Sequence, residues 1–277
     1  MSISSRQYDI ATSHGSIAVQ ESGQGGTPVL LIHGNSTCSG VFRHQLQGQL
    51  AEHHRLIAFD LQGHGKSSDA PDPTRSYTLP ALADAAVELL EKLGVREAIV
   101  YGWSLGGHIG IEMISRFPGM RGLMISGTPP VAPNKMALGF NSTPNQGVAG
   151  KETLSEADID GFLQGIFGAS AEPFLHDCVA RADGRFRKRL FEAARAGAGD
   201  DQRQIVESSP VPLAVVNGGA DRIVKLDYFD TVSYANLWEG RCYRLEGLGH
   251  APFWEGPGEF NPILERFLRD VEAGKAV

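Results

Sequence analysis

Short runs of consecutive apolar residues alternate with longer stretches of helical spacing along most of this chain. These runs predict strands at 28–32, 54–59, 97–102, 121–126, 211–217 and 241–246, preceded by an opening hairpin of strands at 7–11 and 16–21. Helical spacing or length predicts helices at 39–51, 80–93, 105–117 and 256–272. Because the apolar runs are continuous, we expect the strands to be buried on both faces. The alternation therefore predicts an α/β fold, with a mostly parallel central sheet and helices on both of its faces.

The alternation stops between residues 130 and 205. This stretch predicts helices at 155–168, 171–182 and 184–196 but no strand, and polar, glycine-rich segments lead into it (134–150) and out of it (197–202). We therefore predict a core made of residues 1–129 and 206–277, with a helical insertion at 130–205. Six phenylalanines recur through the insertion, and we expect Phe140 and Phe162 to contribute phenyl rings to an apolar substrate pocket.

Composition narrows the class of protein. Asp and Glu outnumber Lys and Arg by 32 to 25, and the net charge of −7 argues against a nucleic-acid partner. No apolar run approaches the length that crosses a membrane, and the first ten residues lack the apolar segment of a signal peptide. The three cysteines are widely spaced, which predicts neither a disulfide framework nor a metal site. We expect a cytoplasmic enzyme that needs no metal and no cofactor.

The segment Gly102-Trp103-Ser104-Leu105-Gly106 carries a G-x-S-x-G pattern between a strand-like run and a helical stretch. This strand–turn–helix context is typical of a nucleophile elbow, in which a strained turn exposes a serine hydroxyl at the end of a strand. Glycines on either side let the backbone pass closely without Cβ clashes. The pattern predicts Ser104 as a nucleophile, with the flanking Trp103 at the substrate pocket.

A histidine and an acid are needed to activate that serine. His250 follows the last predicted strand in a glycine-rich loop, and Asp221 follows the preceding strand at Asn217-Gly218-Gly219-Ala220-Asp221. Asp227 and Asp230 lie close by and are alternatives for the acid, but Asp221 is nearest to the strand end. The order serine, acid, histidine is that of the α/β-hydrolases.

A fourth component lies upstream, where His33-Gly34-Asn35-Ser36 follows the buried strand 28–32. A loop in this position supplies one backbone N–H of an oxyanion hole, here that of Asn35, and the residue after the nucleophile, Leu105, supplies the other. The Asn35 side chain has two open interpretations, a turn-stabilising amide or a group that binds substrate. We interpret His33 as a residue that braces this loop.

These features resemble the α/β-hydrolase superfamily over nearly the whole chain. Residues 60–67, Asp-Leu-Gln-Gly-His-Gly-Lys-Ser, are similar to the D-x-x-G-x-G-x-S turn common in that superfamily. The resemblance implies an α/β-hydrolase fold in which residues 130–205 form a helical cap. More narrowly, the chain resembles the α/β-hydrolase type of N-acyl-homoserine lactonase at four segments, namely 33–36, 108–110 after the elbow, 127–131 and 250–253.

The resemblance implies a serine hydrolase that opens the lactone ring of bacterial quorum signals through an acyl-enzyme. The alternatives are a general carboxylesterase, an acyltransferase or perhydrolase, and a slow-turnover receptor related to hydrolases. Lactonases of this type can place a cap tyrosine near the substrate, whereas residues 130–205 contain no tyrosine and offer Phe162 in that region. We expect a small ester or lactone as the only partner, with no nucleic acid or membrane, and a monomer or homodimer.

Overall fold

The computed structural model describes residues 5–142 and 147–275, and these residues form one eight-stranded sheet. Outside the described residues lie 1–4, 143–146 and 276–277. Of these, 143–146 belong to the polar, glycine-rich segment 134–150 that was predicted to lead into the insertion. The strands are β1 (Ser5–Thr12), β2 (Gly15–Ser22), β3 (Val29–Ile32), β4 (Leu56–Phe59), β5 (Ala98–Trp103), β6 (Met120–Ser126), β7 (Leu213–Gly218) and β8 (Leu237–Leu245).

The sheet has the order β1-β2-β4-β3-β5-β6-β7-β8. The opening hairpin is present, because β1 and β2 pair antiparallel, and β2 also pairs antiparallel with β4. All later pairings are parallel, from β4 with β3 to β7 with β8. The predicted mostly parallel α/β sheet is therefore confirmed.

The helices alternate with the strands and cover both faces of the sheet. They are α1 (Arg43–Leu46), α2 (Leu50–His53), α3 (Pro73–Ser76), α4 (Leu79–Lys92), α5 (Leu105–Met113), α6 (Glu156–Phe167), α7 (Pro173–Arg181), α8 (Gly184–Arg195), α9 (Gln202–Ser208), α10 (Leu226–Phe229), α11 (Pro252–Glu255) and α12 (Pro257–Glu272). Short 3₁₀ segments occur at Ser39–Phe42, Val148–Gly150 and Gly168–Ser170, and a longer one at Pro133–Leu138 is interrupted by non-helical backbone at Lys135. Among the described residues, no helix is long and apolar enough to cross a membrane.

Two apolar clusters lie on opposite sides of the sheet, since successive strand residues point to opposite faces. Within β3, Leu30 and Ile32 belong to the cluster that includes residues of α4 and α5, whereas Val29 and Leu31 belong to the cluster that includes residues of α1 and α12. Burial on both faces explains why the strand runs are continuously apolar.

The helix prediction differs from the structure in the stretch 39–51 and near residue 205. The stretch 39–51 is divided into a 3₁₀ turn, α1 and α2, because Gly48 interrupts it and helices lose stability at glycine. Helix α9 was not predicted and spans the predicted boundary at 205/206, where the Asp201 side chain accepts a hydrogen bond from Gln204 N and begins the helix. Helices α6 to α9 lie between β6 and β7, and the division into core and cap stays a prediction.

Candidate active site

The turn after β5 brings Ser104 to the edge of the sheet where the parallel strands end. Ser104 has φ 54° and ψ −116°, a strained conformation for a residue with a side chain, and it begins α5. The turn is tight, because a Cβ on Gly102 would lie 2.3 Å from Gly106 O and one on Gly106 would lie 2.0 Å from Ile32 O. Glycine is therefore required at both positions around the serine.

His250 lies between Ser104 and Asp221. Its Nε2 is 3.1 Å from Ser104 Oγ, and its Nδ1 is 2.8 Å from Asp221 Oδ2. A carboxylate can only accept, so Nδ1 carries the ring proton and Nε2 is left to accept the serine proton. The His250 and Asp221 side chains are 3% and 0% exposed, which shields this chain of hydrogen bonds from water.

The structure distinguishes Asp221 from its neighbours. Its second oxygen, Oδ1, accepts hydrogen bonds from Ile223 N (2.8 Å) and Val224 N (3.3 Å), which fix the carboxylate toward the histidine. Asp227 and Asp230 lie at the surface instead, where both pair with Arg244. Only Asp221 of these three contacts His250 in the described residues.

The loop after β3 lies against the serine turn. A Cβ on Gly34 would lie 3.0 Å from the Trp103 ring and 3.4 Å from Ser104 Cβ. The predicted oxyanion donors, the N–H groups of Asn35 and Leu105, have no protein acceptor within the described residues. An N–H group without a protein acceptor at the end of a sheet remains available to a developing oxyanion.

Two buried histidines fix this loop. His33 Nε2 accepts a hydrogen bond from Leu61 N (3.0 Å), and His64 Nε2 accepts one from Ser36 N (3.1 Å), at a residue with φ 58°. Burial lowers the pKa of His33 and holds the pKa of His64 well below its usual range. Both rings are therefore neutral acceptors that brace the loop, as predicted for His33.

The Asn35 side chain connects this loop with the segment between β6 and β7. Its Nδ2 donates to Ala149 O (3.0 Å), and its Oδ1 accepts from the Ser36 hydroxyl (3.1 Å). The amide is thus engaged with protein groups, which favours the structural interpretation of the side chain over the substrate-binding one.

The three aromatic residues predicted at the pocket occupy different surroundings. Trp103 is 1% exposed, and its Nε1 donates to His250 O (2.8 Å). Phe162 is buried in the same apolar cluster as Trp103. Phe140 packs against the opposite cluster and forms a β-bridge with Val224, three residues after Asp221 in the chain.

Two polar residues that support the site were not predicted. Asn217 Oδ1 accepts a hydrogen bond from Gly127 N (2.8 Å), and a Cβ on Gly127 would lie 2.6 Å from His250 Cε1. The Thr128 hydroxyl lies 2.9 Å from Ser104 O. Thr128 could have been suspected from the sequence, because segment 127–131 is one of the four that carry the family resemblance. Asn217 had no such signal, since the sequence showed it only as the end of a predicted strand.

In the part of the chain that the structure describes, no group of three or more His, Cys, Asp or Glu side chains is arranged to hold a metal ion. The chemistry available at this site is that of a partly buried serine and a buried histidine and aspartate, with two peptide N–H groups nearby. Such an arrangement supports nucleophilic attack on a carbonyl carbon.

Comparison with known proteins gives consistent matches. The sequence model described as the alpha/beta hydrolase family matches residues 29–263. The structure of the N-acyl homoserine lactonase AidH complexed with N-butanoyl homoserine has a TM-score of 0.93 and 49% identity, covering 96% of this chain and 97% of that one. A putative aryl esterase from Burkholderia cenocepacia has a TM-score of 0.78 and 26% identity, covering 97% and 100%. The pimeloyl-(acyl-carrier protein) methyl ester esterase of Xylella fastidiosa (strain M23) is 36% identical over 263 residues, which are 88% of this chain and 95% of that protein.

Proposed function

Because the chain belongs to the alpha/beta hydrolase family, we propose that it is a serine hydrolase that opens the ring of N-acyl-homoserine lactones. The observation that carries the substrate class is the 49% identity to an N-acyl homoserine lactonase along nearly the full length of both chains. Removal of such lactones would interrupt bacterial quorum signalling, so we propose quorum quenching as the biological consequence.

Ser104 is the proposed nucleophile. As Oγ bonds to the lactone carbonyl carbon, its proton passes to His250 Nε2, which is 3.1 Å away. Asp221 accepts the Nδ1–H bond and stabilises the imidazolium that forms. The N–H groups of Asn35 and Leu105 are the proposed donors to the oxyanion, and loss of one such donor costs about 100- to 1,000-fold in rate.

Collapse of the tetrahedral intermediate breaks the bond between the carbonyl carbon and the ring oxygen. The imidazolium of His250 returns its proton to that oxygen, which becomes a hydroxyl still tethered to the acyl part. A water molecule, deprotonated by His250, then attacks the acyl-enzyme and releases Ser104. One lactone and one water thus give one ring-opened acid, which releases one proton at neutral pH.

The apolar face of α6 is the proposed site of the acyl chain. Ile159, Phe162, Leu163 and Phe167 are buried along this helix, and the Phe167 ring centroid lies 5.7 Å from that of Trp103, next to the nucleophile. Apolar side chains packed against Trp103, which precedes Ser104 in the chain, match an alkyl chain bound to a carbonyl group. We expect acyl chains to bind by burial of CH₂ groups, each contributing up to about 0.8 kcal/mol.

The test is a substrate panel with purified protein. N-acyl-homoserine lactones of several chain lengths are compared with linear esters, and ring opening is followed by proton release. The Ser104→Ala variant should bind lactone but show no turnover, with an unchanged circular dichroism spectrum. Equal turnover by the Ser104→Ala variant, or an absence of lactone opening by the wild-type protein, would contradict the proposal.

A second candidate is a carboxylesterase acting on linear esters. It is favoured by the 36% identity to a methyl ester esterase and by Phe162, whose phenyl ring cannot donate a hydrogen bond to a lactone. The same panel decides between the two functions. A kcat/KM for linear methyl esters at least tenfold above that for every lactone would establish the esterase.

A further inference from the structure

The backbone around His250 is held by a carboxylate that the proposed mechanism does not use. Glu255, the last residue of α11, accepts a hydrogen bond from Gly249 N at Oε2 (2.7 Å) and one from Ala251 N at Oε1 (2.9 Å). The two N–H groups flank His250 on either side. In the described residues, no Lys, Arg or His side chain pairs with this carboxylate, so its two observed bonds both go to the loop.

The absence of a side chain at Gly249 lets the Glu255 carboxylate approach the loop this closely. A Cβ on Gly249 would lie 3.0 Å from both oxygens of Glu255, tighter than ordinary van der Waals contact. Glycine at 249 therefore leaves the space in which the carboxylate spans the two N–H groups.

The peptide that follows His250 is also held from the opposite direction. Trp103 Nε1 donates to His250 O (2.8 Å), while Glu255 accepts from the N–H of the same peptide unit. Both polar atoms of that unit are thus fixed by side chains, one from β5 and one from α11. This fixation determines where the His250 Cα–Cβ bond points.

The position of that bond matters because the imidazole must satisfy two partners at once. His250 lies in a loop after β8, and its ring contacts Asp221 at 2.8 Å and Ser104 at 3.1 Å. Loops move more than strands, and a misplacement of about 1 Å at a reacting group can reduce a rate about 100-fold.

We propose that Glu255 is a positioning residue that holds His250 in line between Ser104 and Asp221 by binding the N–H groups on both sides of it. This inference rests on the proposed serine-hydrolase function. It assigns Glu255 an effect on turnover, whereas a residue that only stabilises the loop would affect the melting temperature and leave the kcat of the folded protein unchanged.

The experiment compares Glu255→Gln with Glu259→Gln, using hydrolysis of p-nitrophenyl butyrate well below the melting temperature. The glutamine amide offers one acceptor oxygen and an NH₂ group, so one of the two N–H groups loses its acceptor and faces a donor. Glu259 is exposed in the first turn of α12, so its variant controls for the lost charge. For Glu255→Gln we expect a kcat about 10- to 100-fold lower with KM within about threefold of the wild-type value.

Two further measurements separate positioning from folding and from substrate choice. The rate at which a fluorophosphonate labels Ser104 should fall in parallel with kcat, since it reports serine activation without depending on the natural substrate. Glu255→Asp keeps the charge but is one methylene shorter and can reach only one N–H group, so its kcat should lie between those of the wild type and Glu255→Gln. If Glu255→Gln does not fold, the kcat of Glu255→Asp alone tests whether Glu255 positions His250.

A kcat and labelling rate for Glu255→Gln equal to those of Glu259→Gln would overturn the inference. So would a lower melting temperature with unchanged kcat, or a Glu255→Asp variant with full activity when Glu255→Gln does not fold. A wild-type protein that neither hydrolyses esters or lactones nor reacts with the fluorophosphonate would instead contradict the proposed function.

Discussion

We expect a buried histidine, one helical turn after the proposed nucleophile, to make the stability of this protein depend on pH. His108 lies on α5, one helical turn after Ser104, and its Nδ1 is 2.6 Å from Gln202 Oε1. Gln202 Nε2 donates to His108 O, so its oxygen accepts and Nδ1 carries the proton. In the described residues, Nε2 of His108 is buried without a partner. Burial therefore favours the neutral ring and lowers the pKa of His108 to about 4.

The size of the effect follows from that pKa and the unfolded value of about 6.5. At pH 7 and above the histidine is mostly neutral in both states, and its burial has little pH-dependent effect. As the pH falls below 6.5, the unfolded chain binds the proton first, so stability is lost until the folded state also protonates near pH 4. Between pH 7 and pH 5 the loss from this one residue is about 2 kcal/mol.

The assay is urea unfolding of the wild type and the His108→Asn variant at pH 7, 6 and 5. Asparagine places an amide nitrogen where Nδ1 stands, so the bond to Gln202 is kept while the titratable group is removed. We expect the variant to be less stable at pH 7, because a cavity remains. Its stability should nevertheless fall by about 2 kcal/mol less than that of the wild type between pH 7 and pH 5.

The comparison also removes the contribution of Glu112, one turn further along α5. Burial raises the pKa of this carboxyl above its usual value, which has the opposite sign, because the folded state then gains stability as the pH falls. Glu112 is present in both proteins and cancels in the difference. Parallel stability–pH curves for the wild type and His108→Asn would refute the reasoning.

Three further outcomes are expected. Asp221→Asn should keep the fold and reduce kcat for p-nitrophenyl butyrate about 10,000-fold, because the wrong tautomer of His250 is then favoured; a loss below tenfold would contradict this role. Gly127→Ala should lower kcat, since the added Cβ would lie 2.6 Å from His250 Cε1 and Gly127 has φ 61°, which favours glycine. The control Gly258→Ala should leave kcat unchanged in the same assay, because no atom lies within 4 Å of the position of its Cβ. Burial raises the pKa of the Cys242 thiol to about 11, so iodoacetamide at pH 8 should alkylate it about 200-fold more slowly than a free thiol, as measured by mass spectrometry.

Local sequence patterns were sufficient for most of the sheet. The strands that precede Ser104 and Asp221, β5 and β7, were predicted within about two residues, because a strand buried on both faces leaves a continuous apolar run. The edge strand β8 begins at Leu237, earlier than its predicted start at 241, since its first half has exposed residues and leaves no such run. The division of 39–51 into short helices could not be predicted in the same way. A four-residue helix contains a single turn, so its ends are set by tertiary contacts and not by periodicity.

In the candidate site, too, residues placed by local sequence patterns could be predicted, and residues placed by tertiary contacts could not. Ser104, His250 and Asp221 could be singled out from the sequence because each follows a strand, and the carboxyl ends of parallel strands meet at one edge of a sheet. The structure brings these three side chains within hydrogen-bond distance of one another, and their catalytic roles stay a proposal. The roles of Asn217 and Glu255 depend on which backbone N–H group each side chain reaches. That information exists only after the chain has folded, since an acceptor four to ninety residues from its donor leaves no spacing pattern.

The contacts of Asn35 would link the proposed acyl-chain site at α6 with the proposed nucleophile, Ser104. The backbone N–H of Asn35 is the proposed oxyanion donor, while its side chain donates to Ala149 O in the segment that leads into α6. A substrate whose acyl chain packs on α6 would shift the segment that contains Ala149. The hydrogen bond between Asn35 and Ala149 would then change the direction of the Asn35 N–H group. Acyl-chain length would then affect kcat as well as KM, because an oxyanion donor contributes to the transition state and not to the bound ground state.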